Sequence, residues 1–174
     1  MRNSQYQDFH AFIITATLQL LEERPLANLP VTAIVKRAGV SRQAFYRHFQ
    51  SKEDVLQAHF EPIYGNFLTN LAQTEELDRQ KVAEQLCDFF ASQAEELKKA
   101  AQSGYSLLIF QIFKAKIAQF YNETTTWTDY TGTKRQWWND FMAAGLFEVL
   151  GTWAREGCQT PKSEVIKMII EFHE

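Results

Sequence analysis

Helical periodicity that runs almost unbroken along the chain is the feature that most limits what this sequence can fold into. Near the start, apolar residues recur at Phe9, Ile13, Ala16 and Leu20, which is the spacing of one face of a helix. Only 7 Gly and 4 Pro interrupt the 174 residues, and we find no strand-like alternation of apolar and polar positions. The sequence therefore predicts an all-α protein.

Two short amphipathic segments flank the run Ala38-Gly39-Val40-Ser41. Pro30 suits the first turn of the first helix, because the N–H that proline lacks is not needed there. Gly39 suits the left-handed turn after that helix, and the hydroxyl of Ser41 can cap the next one. Two short helices joined in this way are the geometry that places a second helix in the major groove of DNA. The pattern predicts a helix-turn-helix.

Helices are also predicted downstream of this motif. Ser51 and Asp54 are spaced as in a capping box and predict the start of a fourth helix. Apolar periodicity then predicts helices over about residues 80–100, 104–123, 136–156 and 162–173.

The charge of the chain is unevenly distributed. Between Arg24 and Lys52 there is no Asp or Glu, and the six cations there give +6 in a chain whose net charge is −3. The remaining residues therefore carry −9. Phosphate contacts dominate nucleic-acid affinity, so a basic segment in an acidic protein marks a candidate DNA-binding surface, although a solvated basic face is the alternative.

The second helix of the motif carries the chemistry for reading DNA. If Phe45 faces the core, the opposite side presents Arg42 with Tyr46 and Gln43 with Arg47, as pairs four residues apart. Arg and Gln can each make two hydrogen bonds to base edges, on guanine and adenine respectively. Tyr46 and Lys52 are better suited to phosphates, which set the register of a complex.

The run from Val31 to Leu56 resembles the signature of the TetR family of transcriptional regulators. The matching positions are Ile34, the turn at residues 38–41, the pair Phe45-Tyr46, Phe49, and Ser51-Lys52-Glu53 followed by Leu56. The resemblance implies an N-terminal three-helix DNA-binding head over residues 1–52, a linking helix over 53–72, and an all-helical ligand-binding and dimerisation body over 73–174. It also implies DNA contacts from Thr32, Ser41, Arg42, Gln43, Ala44, Tyr46, Arg47, His48 and Lys52.

One position departs from the family pattern. Pro30 stands where the family often has Ser or Thr. The helix that follows is therefore expected to find its cap elsewhere, with Asn28 as a candidate. Lys36 and Arg37 lie on this helix and either contact DNA or are solvated.

Apolar stripes near the C-terminus predict a homodimer interface, with a simple core as the alternative. Family members pair such helices into an intermolecular bundle, and dimerisation is also what reading two half-sites requires. The residues expected at or beside this interface are Trp138, Met142, Gly145, Val149, Trp153, Val165, Ile169 and Phe172.

The segment from residue 105 to 121 is apolar on more than one face, which is typical of a helix that is buried or lines a cavity. A plain core is one interpretation. The other is a pocket for an apolar or aromatic effector, lined by some of Phe89, Phe110, Phe113, Phe120, Tyr121, Trp127 and Trp137.

The leading hypothesis is a ligand-responsive repressor, with the alternative of a regulator or activator whose body docks a protein partner. Enzymatic activity is not expected, since the four His residues are dispersed and no Gly-rich phosphate loop is present. Cys87 and Cys158 have no Cys or His at ligand spacing, so neither a metal nor a cofactor is expected. Without a signal peptide or an apolar stretch of membrane-spanning length, the expected location is the cytoplasm.

Overall fold

A computed structural model describes the backbone of residues 2–124 and 128–172, with side chains from residue 9 onward. Within those residues the secondary structure is helical and no strand occurs, so the prediction of an all-α fold is confirmed. Trp127, one of the residues proposed to line a pocket, lies outside the described residues. The helices are α1 (Arg2–Glu23), α2 (Val31–Ala38), α3 (Arg42–His48), α4 (Lys52–Ala72), α5 (Arg79–Ser92), α6 (Ala94–Ser103), α7 (Ser106–Thr124), α8 (Gly132–Arg155) and α9 (Lys162–Phe172), with a short 3-10 turn at Leu26–Asn28 between α1 and α2.

The chain divides into two compact units. The first comprises Met1–Pro62 together with Lys99–Ile109, and the second comprises Ile63–Lys98 together with Phe110–Glu174. The segment Lys99–Ile109 thus joins the N-terminal unit, although it lies in the middle of the chain. The domain boundaries at residues 52 and 73 that the family resemblance implies remain a prediction.

Local signals shape the helix-turn-helix of the first unit as expected. Gly39 has φ 67° and ends α2 in the left-handed conformation that glycine adopts at little cost. Ser41 precedes α3, and its hydroxyl accepts a hydrogen bond from the backbone N–H of Ala44 at 3.0 Å. Ser51 and Asp54 form the reciprocal capping box, with Asp54 N–H donating to the Ser51 hydroxyl at 3.0 Å and Ser51 N–H donating to the Asp54 carboxylate at 3.1 Å.

The core of the first unit holds these helices in place. Ile13 from α1, Ile34 from α2 and Phe45 from α3 are each fully buried. Burying a side chain of this size stabilises the fold by about 1.5–3 kcal/mol. With its inner face fixed in this way, α3 presents its other side to solvent.

The segment Lys99–Ile109 packs against α1 through polar as well as apolar contacts. The buried Ser103 hydroxyl donates to the carbonyl of Leu21 at 2.9 Å, and the Lys99 ammonium lies 3.0 Å from the Glu22 carboxylate. The ring of Tyr105 stacks on that of Phe60, with the centroids 5.9 Å apart. These contacts explain why this segment belongs to the first unit.

The second unit is built around α5, which packs on both α8 and α9. A continuous network of aromatic rings forms much of its interior. Within this network Phe90 lies edge-on to Phe113 at 5.4 Å and to Phe147 at 6.0 Å, measured between ring centroids. Phe67 stacks on Phe89 at 4.0 Å. Edge-on and stacked contacts of this kind stabilise beyond the area that they bury.

Two expectations about local structure were wrong. The predicted helix over 80–100 is two helices, α5 and α6, which meet at Gln93. At this boundary the carbonyl of Phe89 accepts both from the Ser92 hydroxyl at 2.6 Å and from the backbone N–H of Gln93 at 3.1 Å. The other concerns the cap of α2. No side chain caps this helix, and Asn28 instead ends the 3-10 turn before it.

None of the helices in the described residues combines the length and the apolar character needed to cross a membrane.

Candidate nucleic-acid interface

The surface of α3 is the centre of the candidate interface. Phe45 is completely buried, whereas Arg42, Gln43, Tyr46 and Arg47 are exposed. The arrangement expected from the sequence is therefore present in the structure. Four side chains able to donate hydrogen bonds share one surface of a short helix whose opposite side is fixed in the core.

Arg42 and Tyr46 contact each other on this surface. The guanidinium carbon of Arg42 lies 5.5 Å from the centroid of the Tyr46 ring, and an Arg42 N–H donates to the Tyr46 hydroxyl at 3.5 Å. A cation above an aromatic face is held by the negative face of the ring. The contact restricts the rotamers of both side chains before any DNA is bound.

His48 lies at the end of α3 and is half-buried. Its ring centroid is 6.2 Å from that of His10 on α1 and 6.3 Å from that of Phe49. Burial, followed by the nearby His10 and Arg47, lowers the pKa of His48 below its ordinary value. Near neutral pH this imidazole therefore adds no charge to the free interface.

The remaining positions on the two motif helices differ in what they offer. Thr32 is exposed in the first turn of α2. Ser41 uses its hydroxyl to cap α3, which orients the backbone N–H groups of the first turn of that helix. Ala44 is half-buried and presents only a methyl group.

Lys52, at the start of α4, is already engaged within the protein. Its ammonium donates to the carbonyls of Leu26 and Ala27, the second at 3.3 Å, and thereby fastens the turn before α2 to α4. An ammonium has three N–H donors, so it can still face a phosphate while holding this turn. No local sequence pattern predicts this contact, because it joins residues 26 positions apart.

Arg37 is likewise paired. Its guanidinium donates to the Glu23 carboxylate at 2.6 Å, and Arg24 lies 3.8 Å from the same carboxylate. The hydrogen bond from Arg37 is the main cause that lowers the pKa of Glu23. Glu23 therefore neutralises part of the basic surface, although it stands one residue outside the basic segment of the sequence. Lys36, the residue before Arg37, is also exposed.

The residues expected at the dimer interface fall into two groups. Met142, Trp153, Val165 and Ile169 are buried in the second unit itself, and Trp138 is half-buried. Gly145 and Phe172 are exposed and Val149 is half-buried. These three line an apolar groove of about 180 Å³ between α8 and α9. Its full lining is Phe141, Met142, Gly145, Leu146, Val149, Ile169 and Phe172.

Two large aromatic side chains in the first half of α8 are unusually exposed. Phe141 and Trp137 are 72% and 68% exposed, whereas apolar side chains of this size are normally covered. Phe141 was absent from the residues selected for the interface, and Trp137 was assigned to the pocket. Periodicity along α8 could have found Phe141, because it lies four residues from both Trp137 and Gly145.

The residues proposed for a ligand pocket lie mostly in the interior of the second unit. Phe113, Phe120 and Tyr121 are buried, and Phe89 and Phe110 are half-buried. Burial raises the pKa of Tyr121 far above its ordinary value, so its phenol is neutral at physiological pH. Over residues 2–124 and 128–172, no cluster of three His, Cys, Asp or Glu side chains could hold a metal ion.

Together, α2 and α3 form a helix-turn-helix with an exposed basic surface. This is the class of domain that places its second helix in the major groove of DNA. Residues 13–59 match the family model described as bacterial regulatory proteins, tetR family. The helix-turn-helix of this chain is therefore similar to the N-terminal domain of that family.

Individual relatives are similar to the chain over short stretches. The chain is 50% identical over 44 residues to the HTH-type transcriptional regulator EthR of Mycobacterium tuberculosis, which is 25% of this chain and 20% of that protein. It is 33% identical over 69 residues to the nucleoid occlusion factor SlmA of a Marinomonas species, which is 40% of this chain and 35% of that protein. The chain thus spans a fifth to about a third of the length of these relatives.

Solved structures share the fold over nearly the whole chain. The fatty acid degradation regulator FadR of Bacillus halodurans superimposes with a TM-score of 0.60 at 20% identity, covering 95% of this chain and 94% of that one. A TetR transcriptional regulator of Streptococcus agalactiae gives a TM-score of 0.64 at 18% identity, covering 99% and 97%. At these identities the likeness shows the fold alone.

Proposed function

We propose that the chain is a sequence-specific DNA-binding transcriptional regulator that acts as a homodimer in the cytoplasm, as a repressor whose body responds to an apolar or aromatic small molecule. The observation that carries the proposal is the exposed set Arg42, Gln43, Tyr46 and Arg47 on a capped helix with Phe45 buried behind it. The family of the N-terminal domain supports it.

On this surface Arg42 and Gln43 are the base-reading residues. Arg pairs with the two acceptors of guanine, and Gln with the acceptor and donor of adenine, in the major groove. Tyr46, Arg47, His48 and Lys52 set the register through phosphates. The first turn of α3 and Thr32 add backbone and hydroxyl donors near the phosphates.

The apolar groove between α8 and α9 is the proposed dimer interface. Its exposed aromatic rim and the open space at Gly145 leave an apolar surface that a second copy of the chain would cover. A twofold arrangement repeats the same contacts twice and presents two α3 helices to two half-sites.

Sensing is assigned to the second unit because its interior is rich in aromatic side chains, which suits an apolar effector. The exposed groove also favours a second candidate, in which a different protein covers this face and small-molecule sensing is absent. The oligomeric state of the isolated protein separates the two. A dimer supports the first candidate, and a monomer with the groove open supports the second.

Selection from a library of random duplexes, followed by footprinting of the selected site, tests the proposed function. We expect a near-palindromic site with two protected half-sites spaced near a multiple of the roughly 10 bp helical turn. An Arg42→Ala variant in parallel provides the matched control, since the change removes a base contact and leaves the fold intact. Failure to enrich any sequence over random DNA would refute specific recognition, and protection of one half-site at saturation would refute the dimer.

A further inference from the structure

A buried amide on α8 is hydrogen-bonded to an exposed amide on α7. Asn139, on α8, is 4% exposed, and its side-chain N–H donates to the carbonyl oxygen of Asn122, on α7, at 2.9 Å. The other polar atom of Asn139, its Oδ1, is buried and receives no hydrogen bond from the described residues. Buried acceptors in folded proteins are almost always paired, so this one needs an explanation.

The direction in which Asn139 presents its oxygen is fixed by a neighbouring arginine. Arg135 donates through Nε to the side-chain oxygen of Asn122 at 3.4 Å. A guanidinium has donors only, so Asn122 must turn its oxygen, and not its amide nitrogen, toward Arg135. That same oxygen also faces Asn139, which must therefore offer its N–H₂. Rotating the amide of Asn139 by 180° would place two acceptors against each other.

Arg135 is itself held in place, which makes this arrangement rigid. Its guanidinium donates to the backbone carbonyl of Tyr121 and stacks on Trp138, with the guanidinium carbon 4.9 Å from the ring centroid. Trp138 in turn lies edge-on to the ring of Tyr121 at 4.9 Å. The orientation of the Asn139 amide, and with it the direction of its unfilled acceptor, is thus set by groups that are themselves held in place.

The chemistry of this acceptor selects among possible ligands. A carbonyl oxygen attracts a hydroxyl or an N–H and repels a carboxylate, which has acceptors only at neutral pH. The interior of the second unit is apolar, with Phe120 and Tyr121 of α7 both buried, and such an interior suits a ligand that is neutral and mostly apolar. A ligand that lacks a donor would leave the acceptor unpaired.

We propose that Asn139 Oδ1 is the polar anchor of the effector site, and that it selects a neutral, mostly apolar or aromatic effector carrying one hydroxyl or N–H donor. The proposal rests on the ligand-responsive part of the proposed function. It names a specificity-determining residue that periodicity did not select, because Asn139 is a polar residue inside an apolar helix.

The test compares probes that differ only in the donor. One pair is 4-propylphenol and 4-propylanisole, and the other is indole and 1-methylindole; in each, a methyl group replaces the donated hydrogen. Binding is measured by titration calorimetry and by the thermal shift of the full chain. We expect each donor probe to bind roughly tenfold more tightly than its methylated partner, equivalent to about 1.4 kcal/mol.

Two variants locate the effect. Asn139→Leu has nearly the same volume but no acceptor, and should reduce the donor preference to about one while leaving the affinity for the methylated probes unchanged. Asn66→Leu makes the same change at an exposed site on α4 and should keep the preference of the wild type. If Asn139→Leu does not fold, the ratio measured on the wild-type protein still decides the matter, with Asn139→Ser as the second variant.

Several outcomes would overturn the proposal. These are equal affinities for both members of each pair on the wild type, no binding of any probe, or a donor preference that survives Asn139→Leu. A large drop in melting temperature together with a surviving preference would assign Asn139 to the packing of α7 on α8 alone. Operator binding is measured on the same samples, so loss of DNA recognition, which refutes the proposed function, is distinguishable from failure of the anchor.

Discussion

Replacing Gly145 with Glu separates the two roles that α8 is proposed to have. Gly145 is exposed, and a Cβ built at this position meets no atom within 4 Å. The monomer should therefore accept the larger side chain. Since glycine inside a helix is less favourable than most residues by up to about 1 kcal/mol, the helix should even become slightly more stable.

In the proposed dimer the same substitution is costly. The carboxylate would be buried in an apolar groove, with no cation among the residues that line it. An uncompensated buried charge costs about 3–5 kcal/mol, and twofold symmetry introduces it twice. Even the lower figure counted once weakens association by more than about 100-fold.

The assay combines sedimentation equilibrium, a thermal melt followed by circular dichroism, and binding to the selected operator. Gly145→Glu should be monomeric and helical, with a lower operator affinity although every residue of the recognition surface is intact. Gly145→Ala is the matched control and should remain dimeric, because a methyl group fits the open space. A Gly145→Glu protein that stays dimeric and binds its operator normally would show that the interface lies elsewhere. If the variant unfolds, Gly145 belongs to the core of the monomer.

Three further predictions concern the DNA-binding unit. Arg42→Ala should cost about 1–3 kcal/mol on the preferred site and much less on random duplexes, as measured by competition binding; equal losses on both would contradict a base contact. Lys52→Ala should weaken binding to all DNA sequences and make the salt dependence of the affinity shallower by about one unit. In the protein without DNA, it should also reduce the hydrogen-exchange protection of the turn before α2, because Lys52 holds that turn. Exposed Lys36→Ala should leave that protection unchanged. The ion pair with Arg37 lowers the pKa of Glu23. It therefore stabilises the fold at pH values above the ordinary glutamate pKa of 4.5, and this stabilisation is lost as the pH falls through the lowered pKa. The melting temperature of Glu23→Gln should therefore lie below that of the wild type at neutral pH and converge with it in acid, whereas a constant difference would contradict the ion pair.

Features that depend on a few adjacent residues could be predicted from the sequence. Gly39 was expected to end α2 because a left-handed residue is needed there, and it has φ 67°. Ser41 and the pair Ser51 and Asp54 were expected to cap helices, and all three do so. In each case the physical cause is an unsatisfied backbone group within one helical turn, so the sequence contains both partners.

Features that depend on tertiary contacts could not be predicted in this way. From the sequence, Arg37 was expected either to contact DNA or to be solvated. In the structure it is paired with Glu23, which lies on another helix. The boundary between α5 and α6, at Gln93, has neither Gly nor Pro, so no helix-breaking residue marks it in the sequence. The assignment of Lys99–Ile109 to the first unit also depends on contacts, made with α1 and α4, that have no local signature.

The two faces of α8 show why an apolar stripe alone does not identify an interface. The selected stripe contained Met142 and Trp153, which the chain buries itself, whereas Phe141, one residue before Met142, is 72% exposed. One residue corresponds to about 100° around a helix, so adjacent positions face different surroundings. A helix that is apolar on both faces can serve its own core with one face and a partner with the other. Only the exposure of each side chain distinguishes the two, and it assigns the free face to Trp137, Phe141 and Gly145, which follow one another at intervals of four residues along α8.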